Sequence, residues 1–374
     1  MAPKNSAFWM NKLAGLKGAI VERKNPHDCV IQTASPSFNF CFGKGWGLPL
    51  GYSMALYGEP KSGKSLLAYL IAGGVHRDYP DGIVVKFNTE FREEGQLTPE
   101  WAKNYGIDFD RYIGIDANDP NLIYDQIETQ IRSWCQEGMP IKLVIIDSMN
   151  SVQGLRDKEN TSVSDVTIGD VAKVNKIGLK RILPVQREHK FSLVMTSHVA
   201  IEMDRIEAMR NGKYKSGLSV GVQHHAEYSV YVEKAKNKAD RQDMLGRDFI
   251  DPTSLSLDGR TGDSLAHKIY FEMKGSSMGP VGRNGELSFD YGRGVINQHE
   301  EVFKLGVGRG VVGRPSASAY VFGDKKWVGK EAFLTALKES PEMQEAILKE
   351  LRIRDLAGQQ VQYDNVLKEE SAGE

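Results

Sequence analysis

The chain has 374 residues, 40% of them hydrophobic, and 48 Lys and Arg against 49 Asp and Glu give a net charge of −1. That size can bury one large core and a smaller second one, and the charge excludes a globally basic nucleic-acid binder, leaving any basic surface local. Three cysteines without C-x-x-C spacing (Cys29, Cys41, Cys135) imply reduced thiols in a cytoplasmic protein, and neither a membrane span nor a signal peptide is expected.

In residues 1–28, Phe8, Trp9, Leu13, Leu16 and Ile20 recur at near-helical spacing until Asn25-Pro26 breaks the pattern. A helix ahead of a core folds back on its own domain or docks on a neighbouring copy, and this one reads as an N-terminal oligomerisation element. Residues 29–300 alternate strand-like and helix-like segments. The strands are expected at Cys29–Gln32, Tyr52–Tyr57, Ile83–Asn88, Tyr112–Ile115, Lys142–Asp147, Phe191–Thr196, Ala226–Glu233, His267–Lys274 and Glu286–Phe289. Helices are expected over 64–77, 99–105, 120–136 and 169–188, the last kinked at Pro184. This alternation predicts an α/β fold, a doubly wound and mostly parallel sheet turning antiparallel near its end. Residues 301–358 form a small C-terminal lobe with helices Glu331–Leu337 and Pro341–Arg354, and 359–374 an acidic tail expected to be disordered.

Gly58-Glu59-Pro60-Lys61-Ser62-Gly63-Lys64-Ser65 fits G-x-x-x-x-G-K-[ST], the phosphate loop of nucleoside-triphosphate binders. An apolar strand precedes it and a helix follows, the context the chemistry needs. Gly58 and Gly63 permit torsions that turn successive N–H groups toward phosphate oxygens, and the helix N-terminus faces the same anion. Lys64 reaches the β- and γ-phosphates of ATP, and the Ser65 hydroxyl takes a Mg²⁺ position. Lys142–Asp147 is an aliphatic run ending in a carboxylate, the pattern of a buried parallel strand. Ligands collect at the C-terminal tips of such strands, so Asp147 is the second metal residue.

Two polar stretches lack periodicity. Gly154–Thr167 carries Arg156 and Lys158; Ala200–Ser219 carries Arg205, Arg210, Lys213 and Lys215 against Glu202, Asp204 and Glu207. Composition alone allows mobile solvated loops or loops that wrap a phosphodiester backbone. A metal site at His224-His225 is disfavoured, because adjacent strand residues point to opposite faces.

These pieces resemble the RecA family of DNA strand-exchange recombinases, in its bacterial and phage-encoded branches. The resemblance rests on Ser35-Pro36-Ser37 and Gly47-Leu48-Pro49-Leu50-Gly51 before the phosphate loop, and on Phe87-Asn88-Thr89-Glu90 after it. It extends through Thr98–Asp108, Leu193–His198 and Lys268–Gly275, covering roughly 29–350. It implies that Glu90 polarises the water attacking the γ-phosphate, that Trp101 stacks on adenine, and that His198 senses the γ-phosphate. Bacterial members commonly carry glutamine at the sensing position, and the histidine here leans toward a phage-encoded protein. It further implies that the two polar loops contact DNA and that Lys274 reaches the ATP of the adjacent subunit. Where the family has a second lysine, this chain has Ser276. The stretch between Lys234 and His267 is longer than the family core.

The resemblance implies an ATP- and Mg²⁺-dependent, DNA-dependent ATPase that assembles head to tail into a helical filament on single-stranded DNA. It would pair that strand with homologous duplex DNA in recombination and repair, in the cytoplasm, or the host cytoplasm if phage-encoded. A mediator and a single-strand-binding protein are further partners on this reading. The alternatives are a hexameric helicase or translocase of the same core, and an ATP-switched recombination mediator that does not hydrolyse productively.

Overall fold

The computed structural model describes residues 25, 28–91, 97–152, 170–201, 214–233, 236–255, 262–264 and 266–355. The N-terminal element, the acidic tail, and Arg156, Lys158, Arg205, Arg210 and Lys213 lie outside the described residues. Strands in chain order are β1 (Val30–Ile31), β2 (Leu48–Pro49), β3 (Ser53–Gly58), β4 (Ile83–Asn88), β5 (Tyr112–Asp116), β6 (Ile141–Asp147), β7 (Ser192–Ile201), β8 (Tyr214–Ser216) and β9 (Tyr228–Glu233). There follow β10 (Ile250–Leu255), β11 (Gly262–Ser264), β12 (Ala266–Ser276), β13 (Asn284–Asp290), β14 (Gly294–Ile296), β15 (Gly313–Ser316), β16 (Ala319–Phe322) and β17 (Lys325–Val328).

A ten-stranded sheet runs β14-β13-β12-β9-β3-β7-β6-β4-β5, with β8 added onto β7. Pairings from β9 through β5 are parallel, whereas β12, β13 and β14 are antiparallel. The expected α/β architecture with a mostly parallel sheet is therefore the one observed.

The aliphatic runs form central strands because both sheet faces are covered. In β6, Leu143 and Ile145 join the apolar cluster beneath the helix Lys64–Asp78, while Val144 and Ile146 join the cluster beneath the helix Asp170–His189. That two-residue alternation fixes the register, since a slip of one would reverse every side chain. Each fully buried Leu, Ile or Val contributes roughly 1.5–3 kcal/mol, so the alternation is strongly held. Pro184 lies inside Asp170–His189.

Three segments differ from the sequence expectation. β7 runs on to Ile201 and folds back through the antiparallel β8, so His198 lies within a strand, not at its end. Val199 pairs with Ser216 and Ile201 with Tyr214, which puts Lys215 on a strand. The extra stretch after β9 holds a 3₁₀ turn at Lys238–Arg241 and the hairpin β10–β11. Beyond β14 come the helix Gln298–Gly308, the small sheet β15-β16-β17, the helix Lys330–Glu339 and a helix over 341–355. The small sheet escaped the sequence reading because β15 is exposed at every position and shows no apolar alternation. Among the described residues, no helix is long and apolar enough to cross a membrane.

Candidate nucleotide site

The C-terminal tips of β3, β7, β6 and β4 meet at one sheet edge. Register pairs Gly58 with His198 and Asn88 with Asp147, which brings the phosphate loop, Asp147, Glu90 and His198 together although they are far apart in sequence.

Gly58 and Gly63 are both required, for different reasons. Gly63 has φ of +102°, a left-handed torsion that suits glycine. Gly58 closes β3 without such a torsion, contrary to the sequence expectation; a Cβ there would sit 2.2 Å from the Val232 carbonyl oxygen. The helix Lys64–Asp78 then starts with its N-terminus on the loop. Lys64 Nζ donates to the carbonyls of Gly58 at 3.0 Å and Glu59 at 2.8 Å, folding back over its own loop. Burial pushes its pKa down, with Asp147 and Glu90 acting in the opposite sense. Ser62 Oγ is buried with no hydrogen-bond partner among the described residues. A left-handed glycine before a helix N-terminus, a lysine parked on carbonyls and an orphaned hydroxyl together fit a phosphate chain.

Asp147 is nearly buried. The Thr196 hydroxyl donates to its Oδ1, and Lys86 Nζ lies 3.4 Å from its Oδ2. Ser65 lies in the first turn of the helix Lys64–Asp78. A hydroxyl and a carboxylate are oxygen donors of the kind that suits Mg²⁺, which keeps few protein ligands. Among the described residues, no group of three or more His, Cys, Asp or Glu could hold a metal alone.

Glu90 follows β4 and is held by the β6 tip. Ser148 Oγ donates to its Oε1 at 2.9 Å, and Ser151 Oγ lies 3.5 Å away. Thr89 and Ser148 exchange two hydrogen bonds of 2.7 Å, locking the two strand ends. His198 Nε2 is 3.8 Å from Glu90 Oε1, and its backbone N–H donates to Asn150 Oδ1 at 2.8 Å. The other ring nitrogen of His198 has no partner among the described residues.

The β7–β8 hairpin touches the loop directly. Gly217 N–H donates to the His198 carbonyl at 2.8 Å, and the Tyr214 hydroxyl donates to Glu59 Oε1 at 2.8 Å. Lys215, exposed on β8, lies beside this contact.

Trp101 and Lys274 are carried by elements that flank this edge. Trp101 is half-exposed on the helix Pro99–Tyr105, its ring centroid 6.4 Å from that of Tyr291. That helix crosses Lys64–Asp78 at Gly73, about 13 Å along from Lys64. Lys274 is farther off. Gly58 is level with Val232 and hence Phe271, so Lys274 lies about 10 Å down the sheet, toward its opposite edge. There it pairs with Glu272 at 2.7 Å. Ser276 Oγ accepts from the N–H groups of Met278 and Gly279, closing a turn.

Lys86, Ser148, Thr196, Asn150 and Tyr214 were missed in the sequence. A lysine inside Ile83-Val84-Val85-Lys86-Phe87 was a signal, and so was the serine after Asp147. The others become visible only once strands are paired.

No family model matches the chain. Among curated proteins it is similar to Protein RecA of Mycoplasma genitalium, 24% identical over 358 residues that cover 95% of this chain and 93% of that protein. Protein RecA of Mycoplasma pneumoniae is 24% identical over 353 residues, 94% of each. Protein RecA of Streptomyces avermitilis is 22% identical over 339 residues, 90% of this chain and 80% of that protein. Likeness along almost the whole length, joined to this phosphate loop and sheet, leads to one conclusion: the chain is similar to RecA proteins from end to end.

Proposed function

We propose that this protein is an ATP-dependent DNA recombinase that assembles on single-stranded DNA and promotes homologous pairing and strand exchange. One observation carries the reading. His198 stands at the phosphate-loop edge, 3.8 Å from Glu90, and the same strand continues into the hairpin that encloses the basic loop. A group that senses the γ-phosphate is thus covalently continuous with a segment suited to a phosphodiester backbone.

In this mechanism Gly58–Ser65 cradles the triphosphate and Lys64 leaves its loop carbonyls for phosphate oxygens. Ser65 and Asp147 would hold Mg²⁺, which would supply neutralisation of the triphosphate charge. Glu90, oriented by Ser148, accepts the proton of the attacking water. Loss of the γ-phosphate removes the partner of His198 and relaxes the hairpin, weakening DNA contact through Lys215 and the basic residues before it.

Lys274 cannot serve the phosphate loop of its own chain from the far sheet edge. Its role in catalysis therefore requires a second copy, stacked head to tail. Edge strand β5 supports such stacking: Ile113 is exposed on it, and an apolar hollow lies beside it, lined by Phe87, Ile115, Leu122 and Trp134. The amphipathic segment Phe8–Ile20 of a neighbouring copy is the occupant of matching chemistry.

The test is ATP turnover with and without single-stranded DNA. Turnover is expected to rise with DNA and to vanish in Glu90→Gln while nucleotide binding persists. Nucleotide binding with no turnover under either condition would favour the ATP-switched mediator instead.

A further inference from the structure

Lys86 is the most unusual ionisable group in the sheet. It sits mid-strand on β4, its side chain 0% exposed, between the buried Val85 and Phe87. An ammonium group in such surroundings persists only with partners. It has two of note: the Tyr69 hydroxyl, to which Nζ donates at 2.8 Å, and Asp147 Oδ2 at 3.4 Å. Nζ also lies 4.7 Å from the centre of the Tyr69 ring. Tyr69 belongs to the helix that begins at the phosphate loop, so Lys86 bridges that helix to the β6 tip.

Nothing in the proposed hydrolysis needs this lysine, and Met would fill the space at lower desolvation cost. Its charge must act on something. It forms an ion pair with Asp147, the carboxylate that takes Mg²⁺ on the reading above, on which this inference rests. We propose that Lys86 is a positioning residue that keeps Asp147 charge-compensated before the metal arrives and so sets the Mg²⁺ concentration at which the site loads. With Lys86 in place, a divalent cation enters a carboxylate field already partly neutralised. Without it, Asp147 attracts Mg²⁺ more strongly, but the metal-free chain holds a buried carboxylate that has lost its Lys86 ion pair.

The experiment titrates Mg²⁺ into the full-length protein with a fluorescent, slowly hydrolysed ATP analogue. It compares wild type, Lys86→Met, and Lys86→Gln, which keeps a hydrogen-bond donor. Thermal unfolding is recorded for each, with and without Mg²⁺ and analogue. Both variants should load at a Mg²⁺ concentration roughly tenfold lower than wild type, an ordinary scale for coupling between two sites. Their melting temperatures should fall in metal-free buffer and recover much of the loss when Mg²⁺ and analogue are added. A purely structural lysine would leave the Mg²⁺ midpoint within about twofold of wild type and the melting deficit equal in both buffers, and that result overturns the proposal. Should the variants fold only with Mg²⁺ and analogue, the metal has replaced the lysine and the proposal stands; failure to fold in either buffer overturns it. If wild type itself shows no Mg²⁺-dependent binding, the nucleotide reading fails, which is distinct from variants that match a responsive wild type.

Discussion

On the proposed mechanism Lys64, Asp147 and Glu90 carry the chemistry, and each is held differently. Lys64 rests on two loop carbonyls, and burial disfavours its charged form, so an arriving triphosphate exchanges weak neutral acceptors for charged ones. Lys64→Ala should therefore abolish detectable analogue binding by fluorescence. Glu90→Gln should retain that binding and lower turnover by about 10²–10⁴, the usual range for a positioned base. Turnover within about threefold of wild type would exclude Glu90 as the base. Most of this was legible in the sequence, because a phosphate cradle is built from eight contiguous residues. Asp147 was legible as the end of an aliphatic strand behind a phosphate loop, and Glu90 only through family likeness. Lys86 was overlooked because its partner, Asp147, lies on a different strand, and sequence order does not show which strands are neighbours.

At the scale of elements, two contacts join parts that the sequence reading treated separately. The first links the β7–β8 hairpin to the phosphate loop through Tyr214 and Glu59. Removing that hydroxyl in Tyr214→Phe should cut DNA-stimulated turnover by roughly 2–10-fold, the net scale of one typical hydrogen bond. Turnover without DNA should change less, and equal losses in both assays would disprove the coupling. The second contact fastens the helix Gln298–Gly308 to the core. Glu301, fully buried, accepts hydrogen bonds from the Ser35 hydroxyl at 2.5 Å and the Ser37 N–H at 2.9 Å. Burial raises its carboxyl from the ordinary 4.5 to about 8. The folded chain then holds a proton that the unfolded chain releases, so this stability is full below pH 4.5 and is lost as the pH rises through about 8. The melting temperature of wild type should fall between pH 5 and pH 9 by several degrees more than that of Glu301→Gln, measured by circular dichroism. Parallel pH profiles would contradict the assignment. Neither contact could be read from sequence, since each joins residues more than a hundred positions apart. The parallel sheet could be read, because its strands are unbroken aliphatic runs between helices.

For the whole molecule, the account depends on assembly. Among the described residues β5 ends the sheet, with Ile113 exposed on it and an apolar hollow alongside, while Lys274 stands too far from its own phosphate loop to act there. Ile113→Glu places a charge on that edge and should abolish high-mass species in light scattering with DNA and ATP analogue, leaving the melting temperature within about 2 °C of wild type. Assembly unchanged by the substitution would move the interface elsewhere. The central claim is that the γ-phosphate governs the grip on DNA, and fluorescence anisotropy of a labelled single-stranded oligonucleotide reads it most directly. With Mg²⁺ and a slowly hydrolysed ATP analogue, binding should tighten at least about tenfold over ADP or no nucleotide, a coupling of about 1.4 kcal/mol. Equal affinity in all three states would contradict it.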